Sequence, residues 1–367
     1  MKCNICNNEM KRALEFLDYP ITERILDEPQ EARFIDQTFC FCEECQHGQL
    51  MNAPDKSVLY GDDYNFRSTV SSYGASKNND ILVDLVPDKH YKRIVEIGCN
   101  DGDLIKKICH KCDDAYGVDP VTEARVEDNI VFVRNFIENV HIDLDDTLVV
   151  SNQVIEHLEN PHSLFKRLSH LATDTTEFIF GFPNFNILHN NKRYDQIFTH
   201  HLQYFTVHST IELLKRNGFK LTGIHFNEDY WGTQFISFKL GEPTTDCIYD
   251  KITTWDIIQH YDEFVLRMKY AEDFLLNNKA YVYGANYQLP ILNYYMDIDS
   301  FALGVIDDDT TKIGKYLPDV RHPICSLDDI NISDSNFLIT AINFTRPITK
   351  KLIEGNANKI YSIFGEV

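Results

Sequence analysis

The middle of the chain alternates short apolar runs with segments whose apolar residues recur at helical spacing. Arg93 to Ile97 is an apolar run of strand length, Gly98 to Gly102 is a loop bounded by glycines, and Leu104 to Ile108 begins a helical pattern. Strand and helix patterns continue to alternate over residues 114–226. This repetition predicts βαβ units, and therefore a parallel sheet with helices on both faces.

Residues 250–278 have the spacing of one long amphipathic helix, which is expected to act as a spacer. After it, the segment AYVYGANYQLP repeats the order of strand, glycine and helix, and two further apolar runs follow. This repetition predicts a second, smaller Rossmann-like domain over residues 279–367. Residues 56–84 are polar and aromatic without a clean strand period, and we expect them to connect the N-terminal region to the first βαβ unit.

Composition narrows the class of protein. Of the 367 residues, 43% are hydrophobic and 12% are aromatic, which is enough for packed cores and atypical of disordered chains. The formal net charge of -21 opposes binding to a phosphate backbone, so nucleic acid is not expected as a partner. The sequence contains no apolar run typical of a signal peptide or a membrane span, and we expect a cytoplasmic protein without a membrane partner.

Four of the ten cysteines share a C-x2-C spacing and form two pairs: Cys3, Cys6, Cys42 and Cys45. Each pair can present two thiolates from a tight turn, and two pairs complete the tetrahedral ligand set that zinc accepts. We therefore expect a zinc-binding module over residues 1–55, with a structural rather than a catalytic ion. Unmetallated thiols are the alternative. Cys40 is expected to be buried, or to act as a substitute ligand.

The loop that follows the first strand of the βαβ region has the features of a site for S-adenosylmethionine (SAM). Gly98 and Gly102 let the backbone approach a ligand where a Cβ atom would intrude. Glu96 and Asp101 place carboxylates where they can meet the cationic methionine part or a bound water. Asp119 lies about 20 residues further on, at the end of the next strand, where a carboxylate accepts hydrogen bonds from ribose hydroxyls.

A dinucleotide site is the competing interpretation of this loop. Nicotinamide and flavin cofactors use G-x-G-x-x-G to hold a pyrophosphate, whereas this loop reads GCNDG and places an acid where phosphates would lie. SAM is therefore the expected cofactor, and a loop retained only for structure is the third alternative. The remaining cofactor candidates lie in the loop or at the carboxyl ends of later strands: Asn100, Pro120, Asn152 and Gln153.

The order of motifs along the chain resembles a known family. Besides the two cysteine pairs, the motifs are EIGCNDGDL, YGVDP, NQVIEHLENP, FPN, DQIFTHHLQYFT and a late VYGA followed by DDDTTKIGKYLPDV. They are similar, over nearly the whole chain, to those of the zinc-containing SAM-dependent sugar C-methyltransferases, which act on nucleotide-linked deoxysugars.

The resemblance implies an architecture and an enclosed substrate. It implies a class I SAM methyltransferase domain with a Rossmann-like α/β fold over residues 56–245, after the zinc module. A helical spacer over residues 246–278 and the C-terminal Rossmann-like domain follow. In the family, the N-terminal and C-terminal modules enclose the substrate against the central domain.

The family's catalytic segment corresponds to residues 195–206, where the match is incomplete. The second histidine of that segment, the proposed base, falls on His201. The family's tyrosine, first histidine and glutamate fall on Phe198, Thr199 and His200. C-methylation requires removal of a proton beside a carbonyl and a stabilised enolate, so the loss of the phenol and the carboxylate favours O-methylation by a single base over C- or N-methylation.

His200 and His201 are therefore the catalytic candidates, and at most one of them is expected to face the substrate. The alternative is that both are structural, in which case the chain is a SAM-binding partner or regulator of another enzyme. His157 in the IEHLENP motif is expected to cap or orient the following helix. The expected substrate is a small, sugar-derived and nucleotide-linked molecule. Its candidate contacts, of which the first three are alternatively explained by packing between domains, are Tyr64, Phe66, Arg67, Asn184 and Tyr204.

Overall fold

A computed structural model describes residues 1–22, 24–52, 54, 73–228, 232–243 and 251–364. Within these ranges the strands form three sheets. The strands are, in chain order, β1 (Lys11–Pro20), β2 (Phe34–Cys42), β3 (His47–Leu50), β4 (Tyr91–Ile97), β5 (Cys112–Asp119), β6 (Arg125–Glu127), β7 (Ile130–Arg134), β8 (Thr147–Asn152), β9 (Glu177–Pro183), β10 (Gln203–Tyr204), β11 (Phe219–Asn227), β12 (Thr233–Leu240), β13 (Ala280–Tyr283), β14 (Val305–Ile306), β15 (Ile324–Cys325), β16 (Asn336–Ile339) and β17 (Lys359–Ser362).

The helices of the described residues cover the sheets or link them. They are α1 (Tyr73–Leu85), α2 (Asp103–Ile108), α3 (Pro161–Leu171), α4 (Phe185–Asn190), α5 (Val207–Arg216), α6 (Thr254–Asn278), α7 (Leu289–Met296), α8 (Ile298–Phe301) and α9 (Thr345–Glu354). The long helix predicted from residue 250 is confirmed as α6, which begins at a capping box formed by Thr253 and Asp256. None of the helices that the structure describes combines the length and the apolarity needed to cross a bilayer.

The central sheet has eight strands in the order β11-β12-β9-β8-β4-β5-β7-β6. Strands β4, β5, β7, β8 and β9 pair in parallel, as the alternating pattern predicts. The prediction of a wholly parallel sheet was wrong, because β12 runs antiparallel to β9 and β11, and β6 runs antiparallel to β7. The connections from β11 to β12 and from β6 to β7 are too short for the crossover that parallel neighbours need.

The N-terminal sheet is completed by a strand from the central part of the chain. Its order is β1-β2-β3-β10, and all three pairings are antiparallel. In the last pairing Gln203 lies opposite Gln49, and Tyr204 lies opposite Gly48. The segment that follows His201 in sequence is therefore a strand of the cysteine-containing module.

The C-terminal sheet is parallel throughout, in the order β15-β14-β13-β16-β17. Gly284, at the end of β13, has a φ of 124°, and a Cβ atom there would lie 2.5 Å from the backbone nitrogen of Ala341. The glycine in the strand, glycine and helix order of this region is thus required because the ends of β13 and β16 pack closely together. Assignment of this region as a separate Rossmann-like domain remains a prediction.

One apolar core joins the N-terminal sheet to the C-terminal sheet. It includes Phe16 and Tyr19 of β1, Phe264 and Met268 of α6, and Val282 of β13. A second core joins the four cysteines to apolar side chains of the central sheet. The N-terminal module therefore contributes to two cores, so the burial of its apolar surface stabilises both of its neighbours.

The close packing of β3 and β10 requires a glycine at position 48. A Cβ atom at this position would lie 2.6 Å from the Phe39 ring and 3.0 Å from the Tyr204 Cβ. We predict that Gly48→Ala lowers the free energy of unfolding by about 1–3 kcal/mol, because overpacking forces buried neighbours to move. The midpoint of urea denaturation measures the change. Gly223→Ala in β11 is the control, since a Cβ there meets nothing closer than 3.6 Å. Equal stability of the two variants would contradict this account.

Candidate functional site

The loop between β4 and α2 has a backbone conformation that favours glycine. Gly98, Asn100 and Gly102 have φ angles of 75°, 47° and 89°. A Cβ atom on Gly98 would lie 2.2 Å from the Val154 Cγ2, and one on Gly102 would lie 2.6 Å from the Phe132 ring. Both glycines are thus required by the loop's φ angles and by neighbouring protein side chains, whereas the sequence had suggested only close approach of a ligand.

Asp119, at the carboxyl end of β5, holds the loop in place. Its two carboxylate oxygens accept hydrogen bonds from the backbone N–H groups of Asn100, at 3.0 Å, and Val121, at 2.7 Å. A carboxylate oxygen has two lone pairs, so Asp119 can also accept from ribose hydroxyls. Pro120 follows it as an exposed residue.

The surroundings of the loop are acidic. Glu96 in β4 is 4% exposed, and its carboxylate accepts from the Ile105 backbone N–H at 2.9 Å, in the first turn of α2. Burial raises the pKa of Glu96 well above its usual range, and the nearby charges of Asp119, Asp103 and Asp101 raise it further. Four carboxyl groups around one loop form an environment that suits a cationic ligand better than an anionic one.

Asn152 and Gln153 follow the neighbouring strand β8, and both make contacts within the protein. The Asn152 side chain accepts from Asn78 Nδ2 at 3.2 Å and donates to Asn79 Oδ1 at 2.6 Å. Asn79 in turn donates to the Asp103 carboxylate at 2.9 Å. Gln153 lies 3.4 Å from the Thr233 hydroxyl through Nε2. These amide hydrogen bonds hold α1 against the carboxyl ends of the strands. Contact of Asn152 and Gln153 with a cofactor remains a prediction.

His201 lies in a buried turn just before β10. Its ring contacts the Phe198 ring at a tilt of 39°, with 4.1 Å between ring centroids, and its Nε2 lies 4.0 Å from Glu156 Oε1. Burial lowers the pKa of His201 well below 6.5, and proximity to His157 and His200 adds to the effect. The imidazole is therefore neutral at physiological pH, which is the state that a proton acceptor needs.

The neighbouring histidines have different contacts. His200 is buried, with its Nδ1 at 3.4 Å from the Thr199 hydroxyl, and its backbone carbonyl lies 2.8 Å from His157 Nδ1. His157 was expected to cap or orient the next helix, and the capping role was wrong, because Asn160 caps α3 by accepting from the His162 backbone N–H. His157 instead packs edge-on against His201, with ring centroids 4.9 Å apart.

Glu156 is the residue of this cluster that the sequence did not single out. Glu156 is fully buried in the turn after β8. It follows Val154 by two residues, and the Val154 side chain packs against Gly98. The glycine loop and the carboxylate beside His201 are thus linked by three consecutive residues of one turn. The motif NQVIEHLENP, at the carboxyl end of a predicted strand, contains Glu156 directly before His157.

The remaining substrate candidates divide into two groups. Asn184 is buried at the start of α4, where its Oδ1 accepts from the Ile187 backbone N–H at 3.0 Å. Tyr204 is buried in β10, and its hydroxyl accepts from the Phe198 backbone N–H at 3.1 Å. The Asn184 side chain thus caps α4, and the Tyr204 side chain helps to fix the turn that contains His201. Contact of either residue with a substrate remains a prediction. The other three candidates lie outside the described residues: Tyr64, Phe66 and Arg67.

The four paired cysteines converge at one buried point. The Sγ atoms of Cys3 and Cys45 are 3.5 Å apart, as are those of Cys6 and Cys42, and all four lie within 4.8 Å of one another. A tetrahedral ion with bonds of about 2.3 Å would separate its sulfur ligands by about 3.8 Å. The ligand set therefore fits zinc. Cys40 is buried in the same strand as Cys42, outside this group of four.

The cysteine cluster lies against the turn that follows β8. The side chain of Asn4, between the first two cysteines, donates to the Glu159 carbonyl at 2.8 Å. His162 at the start of α3 contacts the Ile5 carbonyl at 2.9 Å. The cluster is therefore anchored to the segment that carries Glu156 and His157.

Comparison with known proteins agrees with this geometry. Residues 71–223 match the family model described as "Methyltransferase domain". The chain is 20% identical over 250 residues to the C-methyltransferase NovU of Streptomyces niveus, an alignment that covers 63% of this chain. The chain spans only 59% of the length of that relative.

Solved structures show distant similarity. A SAM-dependent methyltransferase from Mesorhizobium loti is 16% identical, with a TM-score of 0.36 over 44% of this chain and 96% of that one. The N-methyltransferase NodS from Bradyrhizobium japonicum, in complex with S-adenosyl-L-homocysteine, is 14% identical, with a TM-score of 0.38 over 47% of this chain and 89% of that one. Together with the mixed α/β sheet, the family match shows that the chain contains an enzyme domain, a SAM-dependent methyltransferase domain of the class I fold.

Proposed function

We propose that the whole chain transfers a methyl group from SAM to a small, sugar-derived and nucleotide-linked acceptor. The observation that carries the proposal is the continuous turn from Val154, against the Gly98 loop, to Glu156, whose carboxylate faces His201. Through this turn, the neutral imidazole of His201 would lie close to the expected methyl donor. The sugar acceptor rests on the resemblance of the motifs along the chain.

The cofactor is expected to bind along the carboxyl ends of β4, β5 and β8. Gly98 to Gly102 would border its methionine part, and Asp119 would accept from the ribose hydroxyls. When bound, SAM supplies an electrophilic methyl group on a sulfonium, a cation that the acidic loop would favour. Phe136 is exposed and follows β7. It lies near Asp119, because the backbone N–H of the preceding Asn135 donates to the Asp119 carbonyl, and its ring would cover the adenine.

His201 is the proposed base. In O-methylation it would accept the proton of an acceptor hydroxyl while that oxygen attacks the methyl carbon in line, with Glu156 stabilising the imidazolium that forms. His200 is the weaker candidate, because its ring lies beside Thr199 and away from the carboxylate. O-methylation stays our first choice, since Phe198 and His200 occupy the positions of the family's phenol and carboxylate.

C-methylation is the second candidate, and two observations favour it. Glu156 supplies from another turn the kind of carboxylate that the catalytic segment lacks, and the relative from Streptomyces niveus is named a C-methyltransferase. A third candidate is a SAM-binding protein that regulates another enzyme of a sugar pathway. Its supporting feature is the burial of both His200 and His201.

Zinc is the proposed structural ion of the N-terminal module. Four buried sulfurs would leave no open coordination position, so the ion would stabilise the fold without touching a substrate. The cluster contacts the turn after β8 through Asn4 and Ile5, and β10 extends the same module. Zinc would therefore help to keep the His201 turn in place.

The first prediction concerns the cofactor. Asp119→Ala should weaken binding of S-adenosyl-L-homocysteine by about 10-fold to 100-fold, because it removes charged acceptors for the ribose hydroxyls and for the loop backbone. Isothermal titration calorimetry measures the affinity. Asp113→Ala is the control, since Asp113 is exposed at the opposite end of the same strand. Similar affinities in both variants would contradict the assigned pocket.

The second prediction concerns the base. His201→Asn should lower kcat by about 100-fold to 10,000-fold while leaving S-adenosyl-L-homocysteine binding intact, because a general base contributes at that level. Transfer of labelled methyl groups to a panel of nucleotide sugars measures kcat. His225→Asn, an exposed substitution in β11, is the control. Undiminished transfer by His201→Asn would exclude His201 as the base.

The same assay separates the candidate functions. Solvent deuterium incorporated beside a carbonyl of the acceptor would indicate C-methylation, whereas a methyl ether product without exchange would indicate O-methylation. Cofactor binding without transfer to any acceptor would favour the regulatory protein.

The third prediction concerns zinc. The purified chain should hold one zinc ion in the cysteine cluster, and Cys42→Ser should remove this ion because three thiolates remain. Elemental analysis and a thiol-modification assay measure the ion and its release. Cys40→Ser is the matched control, two residues away in β2 and also buried. Equal zinc contents in the two variants would contradict the assigned ligand set.

A further inference from the structure

A second group of side chains outside the cysteine cluster has the composition of a metal site. The carboxylate of Glu156 and one imidazole nitrogen each of His157 and His201 lie within 4.8 Å of one another. Glu156 Oε1 is 4.0 Å from the Nε2 atom of each histidine. Two imidazoles and one carboxylate suit borderline divalent cations such as Zn²⁺ and Co²⁺.

The hydrogen bond of His157 fixes which of its nitrogens can bind a metal. Nδ1 lies 2.8 Å from the His200 carbonyl oxygen, which can only accept, so Nδ1 carries the proton. In the neutral ring Nε2 then bears a lone pair, and Nε2 is the atom that faces Glu156. Histidine ligands in metal sites commonly donate their other ring N–H to a backbone carbonyl in this way.

The backbone holds the three side chains in place from two segments. The Leu202 N–H donates to the Glu156 carbonyl at 2.8 Å, and the His201 N–H donates to the Phe198 carbonyl at 3.0 Å. Around a tetrahedral ion with bonds of about 2.05 Å, ligand atoms lie about 3.3 Å apart. The two separations from Glu156 Oε1 are 4.0 Å and the separation of the two imidazole nitrogens is below 4.8 Å, so closing the set around an ion needs movements of at most about 1.5 Å.

We propose that Glu156, His157 and His201 bind one borderline divalent cation, independently of the cysteine cluster. The net charge of -21 raises the local concentration of cations around the protein. A bound cation would occupy the lone pair of His201. Where His201 is the base, a consequence that rests on the proposed function, the cation would inhibit methyl transfer.

The test is a titration of the full zinc-loaded chain with Co²⁺, followed by visible absorption. We expect one Co²⁺ per chain, with the weak bands of nitrogen and oxygen ligands and without the intense thiolate charge transfer that exchange into the cysteine site would give. His157→Asn and Glu156→Gln should each weaken cobalt binding at least 10-fold. His225→Asn should bind cobalt like the unaltered chain. Zinc content and S-adenosyl-L-homocysteine binding establish that each variant is folded.

The outcomes separate this site from the proposed function. Absence of a second metal site, thiolate bands only, or unchanged cobalt affinity in both variants would overturn the proposal. Cobalt binding that leaves a measurable methyl-transfer rate unaltered would overturn its inhibitory role. If the zinc-loaded chain without added cobalt transfers no methyl group, the proposed function fails, and the stoichiometry and the variants still decide whether the site exists.

Discussion

The pairing of β10 with β3 is the contact on which the candidate site depends. It is only two residues long, yet it joins the turn of His201 to the sheet that carries Cys42 and Phe39. A further backbone hydrogen bond, from the Leu50 N–H to the Leu202 carbonyl, extends this strand pairing. The Leu202 N–H in turn donates to the Glu156 carbonyl. Hydrogen bonds of the neighbouring Leu202 thus tie the His201 turn both to β3 and to the turn that contains Glu156. These hydrogen bonds are strengthened because their surroundings are buried.

Electrostatics and burial act together on the other side of the site. Carboxyl groups gather around the glycine loop, and the buried Glu96 carries a pKa raised mainly by burial. The backbone N–H of Ile105 offsets part of that cost. The loop is therefore held by Asp119 at the end of β5, and the helix turn that follows it is held by Glu96 in β4. A loop so held is preorganised for a cofactor, and little conformational freedom remains to be lost on binding.

The sequence predicted the features that arise from local patterns. The β4 strand, the glycine loop, Asp119 at the end of β5 and helix α6 all follow from periodicity or from short spacings. The antiparallel β12 was missed, although it begins soon after β11 and its short connection excludes a crossover. Glu156 stands in a motif at the carboxyl end of a predicted strand, but its proximity to His201 depends on the fold. The row of amide side chains around Asn78 could not be recognised, because its members come from distant parts of the chain and only the fold brings them together. The convergence of four sulfurs was predictable, since two turns of fixed geometry define it.

The discontinuous N-terminal sheet also constrains when the protein can fold during its synthesis. Strands β1 to β3 leave the ribosome long before β10 has been translated. The apolar face around Phe39 and Gly48 therefore stays uncovered until Tyr204 has been synthesised and can pack on it. Contacts between residues so distant in sequence form late, because closing the long intervening loop costs entropy first. The nascent module would therefore carry an unfinished sheet edge while residues 51–204 are translated, and the pairing that covers this edge also forms the turn of His201. Maturation of the N-terminal sheet and assembly of the candidate site are, in this chain, a single event.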